Sequence, residues 1–300
     1  MVEGGRTTRL LARSAITFSH LAACGFALMT PPAWGADVDR PADLDQLDVV
    51  RSTLFDAEMV LLDVAGHRAF ILKPTRPEAD GPKPWVWYAP TLLADGEADW
   101  KSPGGRHAWM FRRLLEGGLY VVGVDVGESW GSPAGRAVYD KLYDHLVGRF
   151  GFARKACLFP ISRGGLMAYN WAADHADRVQ CIGGIYPVSN FQEFAGREYV
   201  RRAYGMNEEQ LRAELAKHNP LDRLAPLAAA RVPILHVHGD HDTVVPLPSH
   251  SAELVRRYRA LGGQADLIII PGKGHEIAPE LWQEPRLVEF FTSQSGGKSQ

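Results

Sequence analysis

The sequence predicts an α/β protein built on a single, doubly wound, mostly parallel sheet flanked by helices, with a short helical insertion. Three observations carry this. Short Val/Ile/Leu-rich runs alternate with segments of helical periodicity over most of the chain. The runs are nearly all apolar rather than alternating, as strands covered on both faces are. One stretch of about forty residues, 189–231, is charged and helical and contains no strand.

In chain order, MVLLDVAG and HRAFILKP read as a hairpin with Gly66 in the turn, and KPWVWYAP as a strand. RHAWMFRRLLEGG has helical periodicity and a glycine stop. LYVVGVDVG is a strand, VYDKLYDHLVGRFG a helix, KACLFPIS a strand, RGGLMAYNWAADHADR a helix and VQCIGGIYPV a strand. The 189–231 segment is expected to lie over the sheet edge. VPILHVHGD, SAELVRRYRALGG, ADLIIIPG and PELWQEPRLVEFF continue the alternation, each as one element, and the pair Val245–Pro246 is expected to begin the helix after VPILHVHGD.

The ends differ from the body. Arg6, Arg9 and Arg13 precede an apolar run, 15–29, and then TPPAWGA. A basic, then apolar, then small-residue sequence is that of a secretory signal, which gives a signal peptide over 1–35 with Ala33 and Gly35 at the small-residue positions. The run is short for a bilayer span, so no stable membrane span is expected. The alternatives are a lipobox, Leu21-Ala22-Ala23-Cys24, with a lipid anchor on Cys24, and an ordinary N-terminal segment. The signal and the lipobox both imply a protein outside the cytoplasm, secreted or periplasmic. Residues 36–54 are a polar lead-in, 55–293 the folded domain, and 294–300 a flexible tail. The chain is 46% hydrophobic, which supports one sizeable core. Its formal net charge is −2 with no basic run, which argues against a nucleic-acid partner. Cys157 and Cys181 lie in apolar strands without metal-ligand spacing and are expected to be buried free thiols, a disulfide being the alternative. Oligomeric state is not legible.

In open α/β sheets ligands bind beyond the carboxyl ends of the strands. After KACLFP comes Ile161-Ser162-Arg163-Gly164-Gly165. A serine at a sharp strand-to-helix turn, with glycine two residues on, is the pattern of a nucleophile elbow; an ordinary serine N-cap is the plainer alternative. Pro160 stands where the usual elbow has glycine. A serine nucleophile needs a base and a group to orient it. PGKGHEI, after ADLIII, supplies His275, and the loop after VPILHV supplies an acid. The order serine, acid, histidine is that expected on this architecture.

HVHGDHDTVVP can be read in two ways. His236, His238, Asp240 and His241 spell H-x-H-x-D-H, a metal-binding pattern, but only about sixty residues follow it. The other pattern, Gly239-x-x-Asp242-x-x-Val245-Pro246, puts Asp242 past the strand end as the orienting acid, ahead of Asp240. His236 and His238 then become hydrogen-bonded core or wall residues, His241 an exposed one, and no metal is expected.

Together, PISRGG, HGDHDTVVP and PGKGHE resemble the α/β-hydrolase superfamily over roughly residues 55–293, and most of all its dienelactone-hydrolase and prolyl-oligopeptidase-like branch. The resemblance implies a cofactor-free enzyme with Ser162 as nucleophile, Asp242 as acid and His275 as general base. The first oxyanion donor should be the Arg163 N–H. The second should come from the loop after KPWVWYAP, where Pro90 has no N–H, so Thr91 is the first choice and Leu92 the second. Serine followed by arginine is also similar to the glucuronoyl esterases, where that arginine assists at the oxyanion; Arg163 would then favour an anionic or developing-anion acyl group. A surface arginine is the alternative. Trp130, Trp100 and Trp109 are candidates for a sugar-stacking wall. The resulting expectation is a secreted serine esterase acting on a small-molecule or carbohydrate ester. The rivals are a prolyl-oligopeptidase-type peptidase, an inactive binding module of the same fold, and a metal-dependent hydrolase using His236 and His238.

Overall fold

The computed structural model describes residues 44, 50–76, 80–93 and 102–295. The signal and lipobox readings, Trp100 and residues 296–300 lie outside the described residues.

Among the described residues, nine strands form one sheet. In chain order they are β1 (Val50–Leu54), β2 (Ala57–Val64), β3 (His67–Leu72), β4 (Trp85–Ala89), β5 (Tyr120–Val124), β6 (Ala156–Pro160), β7 (Val179–Ile185), β8 (Ile234–Gly239) and β9 (Ala265–Ile270). Their spatial order is β1-β2-β3-β5-β4-β6-β7-β8-β9. The first three strands, and the β3–β5 pair, run antiparallel. From β5 to β9 every neighbouring pair is parallel. β1 forms an exposed edge in the stretch set aside as lead-in, and buried Leu44 joins the core from the same stretch.

The helices are α1 (Ala108–Glu116), α2 (Pro133–Arg149), α3 (Gly164–Asp174), α4 (Glu198–Tyr204), α5 (Glu208–Ala213), α6 (Ala225–Ala229), α7 (Ser251–Ala260), α8 (Pro279–Trp282) and α9 (Pro285–Ser295). Strand alternation divides the core between the two faces. Trp85 and Trp87 of β4 pack with α2, α3, α6 and α7, whereas Val86 and Tyr88 pack with α1, α8 and α9. This is the double winding that the near-continuous apolar strands predict.

Several local expectations shift. PELWQEPRLVEFF is two helices, because Pro285 restarts the chain. Val245–Pro246 leads into a 3₁₀ turn, Leu247–Ser249, before α7 begins at Ser251. α9 runs to Ser295, into the segment read as tail. The 189–231 segment does not cover a sheet edge. It connects β7 to β8, strands inside the sheet order. Phe191, Phe194, Val200, Tyr204 and Leu211 from it form a small core with Trp130, Leu166, Val188 and Val245, beside the N-terminus of α3. Farther along the segment, Leu221, Leu224 and Leu227 join the main core with Trp85, Trp87 and α3 on one face of the sheet.

Candidate active site

The elbow explains its own sequence. Ser162 has φ 52°, a left-handed conformation that costs a non-glycine residue free energy and is tolerated where surrounding structure enforces it. Its N–H donates to Ile185 O and its C=O accepts from Val188 N–H, so the turn is pinned to β7 and the segment after it. A Cβ on Gly164 would lie 2.1 Å from Ala89 O, and one on Gly165 would lie 2.3 Å from Val188 O. Both glycines are therefore set by space. Pro160 is accommodated across the sheet: Gly184 of β7 faces it, and a Cβ there would sit 3.3 Å from the proline Cγ and 3.0 Å from its carbonyl oxygen. The ring occupies room that a missing side chain on the next strand leaves open.

The loops after β8 and β9 also meet closely. A Cβ on Gly239 would come within 2.1 Å of Lys273 O, and His241 N–H donates to that same carbonyl. This contact brings the acid and the histidine together. The Ser162 hydroxyl lies 2.9 Å from His275 Nε2, and His275 Nδ1 lies 2.8 Å from Asp242 Oδ2. Asp242 Oδ1 accepts from the Val244 and Val245 N–H groups at 2.9 and 2.8 Å. Burial alone would raise the Asp242 pKa, but hydrogen bonds from His238, His275 and Val245 outweigh it and hold the carboxyl well below the usual range. Asp240 is instead spent on Gly272 N–H and on exposed His241.

His236 and His238 are fully buried, and all four of their ring nitrogens have partners. Directions of donation follow from the carbonyl at one end. His238 Nε2–H donates to Val245 O at 2.8 Å and lies 3.4 Å from Asp242 Oδ2. His238 Nδ1 therefore accepts from the Ser251 hydroxyl at 2.8 Å, and Ser251 Oγ accepts from His236 Nδ1–H at 2.9 Å. His236 Nε2 accepts from the Tyr169 hydroxyl at 2.7 Å. The motif is thus a closed hydrogen-bond chain from α3 through α7 to the Asp242 loop, and burial lowers the His236 pKa to about 3, which keeps the ring neutral.

The Arg163 and Thr91 N–H groups, the two expected oxyanion donors, have no acceptor among the described residues. Thr91 is buried, and its neighbours Pro90 and Leu92, rather than Thr91 itself, line the recess beside Ser162. Leu92, the second choice, is ruled out as a donor, since its N–H donates to Ser102 O at 3.0 Å.

Ser162 stands between two recesses. One, of about 380 Å³, is lined by Glu128, Trp130, Arg163, Val188, Phe194, Tyr199, Val244 and Val245. The other, of about 250 Å³, includes Tyr88, Arg106, Arg163, Tyr186, His275 and Trp282. Trp130 is thus brought to the site, with Phe194 and half-exposed Tyr199 packed against it at tilted ring angles. Trp109 lines neither recess; it lines a neighbouring cleft with Arg112 and Gln283, which shares Arg106, Ile277 and Trp282 with the smaller recess. The Arg163 guanidinium is paired with Glu128 at 2.8 Å. Sequence reading missed Glu128, Phe194, Tyr199, Arg106, Tyr88 and Tyr186. The GESW loop and the aromatic content of 189–231 were the available signals for the first three. Cys157 and Cys181 are buried free thiols in register on neighbouring strands.

Comparison with known proteins bears on the family and the fold. Residues 139–296 match the prolyl oligopeptidase family. No curated protein matches the chain. Among solved structures, an S-formylglutathione hydrolase from Agrobacterium tumefaciens is similar at TM-score 0.60 and 15% identity, covering 83% of this chain and 99% of that one. A puromycin-hydrolyzing peptidase from Mycobacterium tuberculosis is similar at TM-score 0.63 and 16% identity, covering 81% of this chain but 40% of that one. Est1E from Butyrivibrio proteoclasticus follows at TM-score 0.56 and 19% identity, covering 79% and 98%. With a family match over more than half its length and an α/β-hydrolase sheet, the chain belongs to the prolyl oligopeptidase family and is a serine hydrolase.

Proposed function

We propose that the protein is an exported carboxylic ester hydrolase acting through an acyl-enzyme, with Ser162 as nucleophile, His275 as general base and Asp242 as orienting acid. The observation that carries this is the unbroken relay from Ser162 Oγ through His275 to Asp242 Oδ2. His275 Nε2 takes the hydroxyl proton as Ser162 Oγ attacks the ester carbonyl. The oxyanion forms beside the Arg163 and Thr91 N–H groups, which have no acceptor among the described residues. His275 then returns the proton to the departing alcohol, and water repeats the sequence on the acyl-enzyme. Asp242, held ionised, fixes the Nδ1–H tautomer and stabilises the imidazolium.

Carbohydrate esters are the proposed substrate class. Support comes from the aromatic wall of Trp130 and Tyr199 next to Ser162 and from the signal-like N-terminus. Small recesses on both sides of the serine suit a compact ester better than a long peptide. The family name and the puromycin-hydrolyzing relative favour a second reading, a peptidase.

A direct comparison of kcat/KM on p-nitrophenyl acetate, an acetylated sugar and peptide p-nitroanilides separates the two. The ester reading requires turnover of both esters far above the anilides; anilide turnover equal to or above the esters would reverse the assignment.

A further inference from the structure

The two recesses beside Ser162 differ in charge balance. In the larger one, Arg163 is answered by Glu128. Among the described residues, the smaller one is lined by Tyr88, Pro90, Leu92, Ser102, Ile161 and Ile277 along with Ser162, His275 and two guanidiniums, and by no carboxylate. Arg106 is half-buried there and has no ion-pair partner among the described residues. Burial pushes the Tyr88 phenol up to about 12 and raises Tyr186 as well, so neither hydroxyl supplies a counter-charge at neutral pH. The chain as a whole carries a net charge of −2, so this surplus cation is local. An unpaired guanidinium in an aromatic-walled recess offers parallel N–H donors that match a carboxylate.

We infer that this recess is an anion subsite, in which Arg106 binds a carboxylate carried by the ester substrate. The inference rests on the esterase reading for the word ester alone; the subsite itself is a binding claim. It makes Arg106 a specificity-determining residue for acidic esters.

The test uses calorimetric binding of 4-hydroxybenzoate and its methyl ester, together with hydrolysis of 4-acetoxybenzoate and its methyl ester. Wild type, Arg106→Gln and Arg106→Lys are compared. Wild type should prefer the acid over the methyl ester by on the order of tenfold, the scale of one charge-assisted hydrogen-bond pair. Arg106→Gln should abolish the preference, and Arg106→Lys should restore part of it. Raising the salt concentration should weaken it. No preference in wild type, or a preference retained in Arg106→Gln, overturns the subsite. If wild type binds the acid preferentially but hydrolyses neither acetate, the esterase reading fails while the subsite stands. If both acetates are hydrolysed without preference and the acid is not favoured in binding, the subsite fails while the esterase reading stands.

Discussion

Replacing His236 with asparagine should flatten part of the acid dependence of stability. The native ring has its pKa lowered to about 3 by burial, whereas an unfolded histidine titrates near 6.5. Between those values the unfolded chain binds a proton that the folded chain refuses. Stability from this group is therefore fully present above pH ~6.5 and is lost as pH falls toward ~3. At pH 5 the loss is roughly 2 kcal/mol, from about 1.5 units of incomplete titration at 1.36 kcal/mol per unit. In His236→Asn the amide nitrogen can still donate to Ser251 Oγ, but the Tyr169 hydroxyl loses its acceptor. That should cost about 1–3 kcal/mol at pH 7.5. Urea unfolding at pH 7.5, 6 and 5 reads both effects. The gap between wild type and variant should narrow by roughly 2 kcal/mol over that range. Buried His107, whose pKa is also lowered to about 3, titrates in both proteins and cancels in the difference. Parallel curves would show that His236 is not held neutral in the fold, and the hydrogen-bond chain drawn from it would be wrong.

Gly164→Ala should slow catalysis by about a hundredfold, because its Cβ would meet Ala89 O at 2.1 Å and the elbow must move away from β4; steady-state kinetics on an activated ester would check it, and wild-type rates would refute the steric account. Gly148→Ala, in α2 with nothing within 4 Å of the new Cβ, should instead raise unfolding free energy by about 0.5–1 kcal/mol with activity unchanged.

The arrangement of Ser162, Asp242 and His275 was legible because it is local. Ser162, Asp242 and His275 each sit at a strand end inside a short pattern whose glycines report close approach, and the structure joins all three. The choice of Asp242 over Asp240 followed from the Gly239-x-x-Asp242-x-x-Val245-Pro246 spacing, and in the structure Asp242 takes the Val244 and Val245 N–H groups. What failed was non-local. Pro160 looked discordant because the room for its ring comes from Gly184 on another strand. The 189–231 segment was sent to an edge because its helices show what they bury but not which end of the sheet they meet. The edge strand β1 escaped because its residues are exposed and carry no apolar run. Arg106, Glu128 and Tyr199 reach the site only through the convergence of loops far apart in sequence.

The measurement closest to the central claim is the intact mass of wild type and Ser162→Ala after a fluorophosphonate reagent, with His275→Ala alongside. The account predicts one adduct on wild type, none on Ser162→Ala, and labelling slowed by orders of magnitude on His275→Ala. An unlabelled wild type, or an adduct that persists in Ser162→Ala, would contradict it.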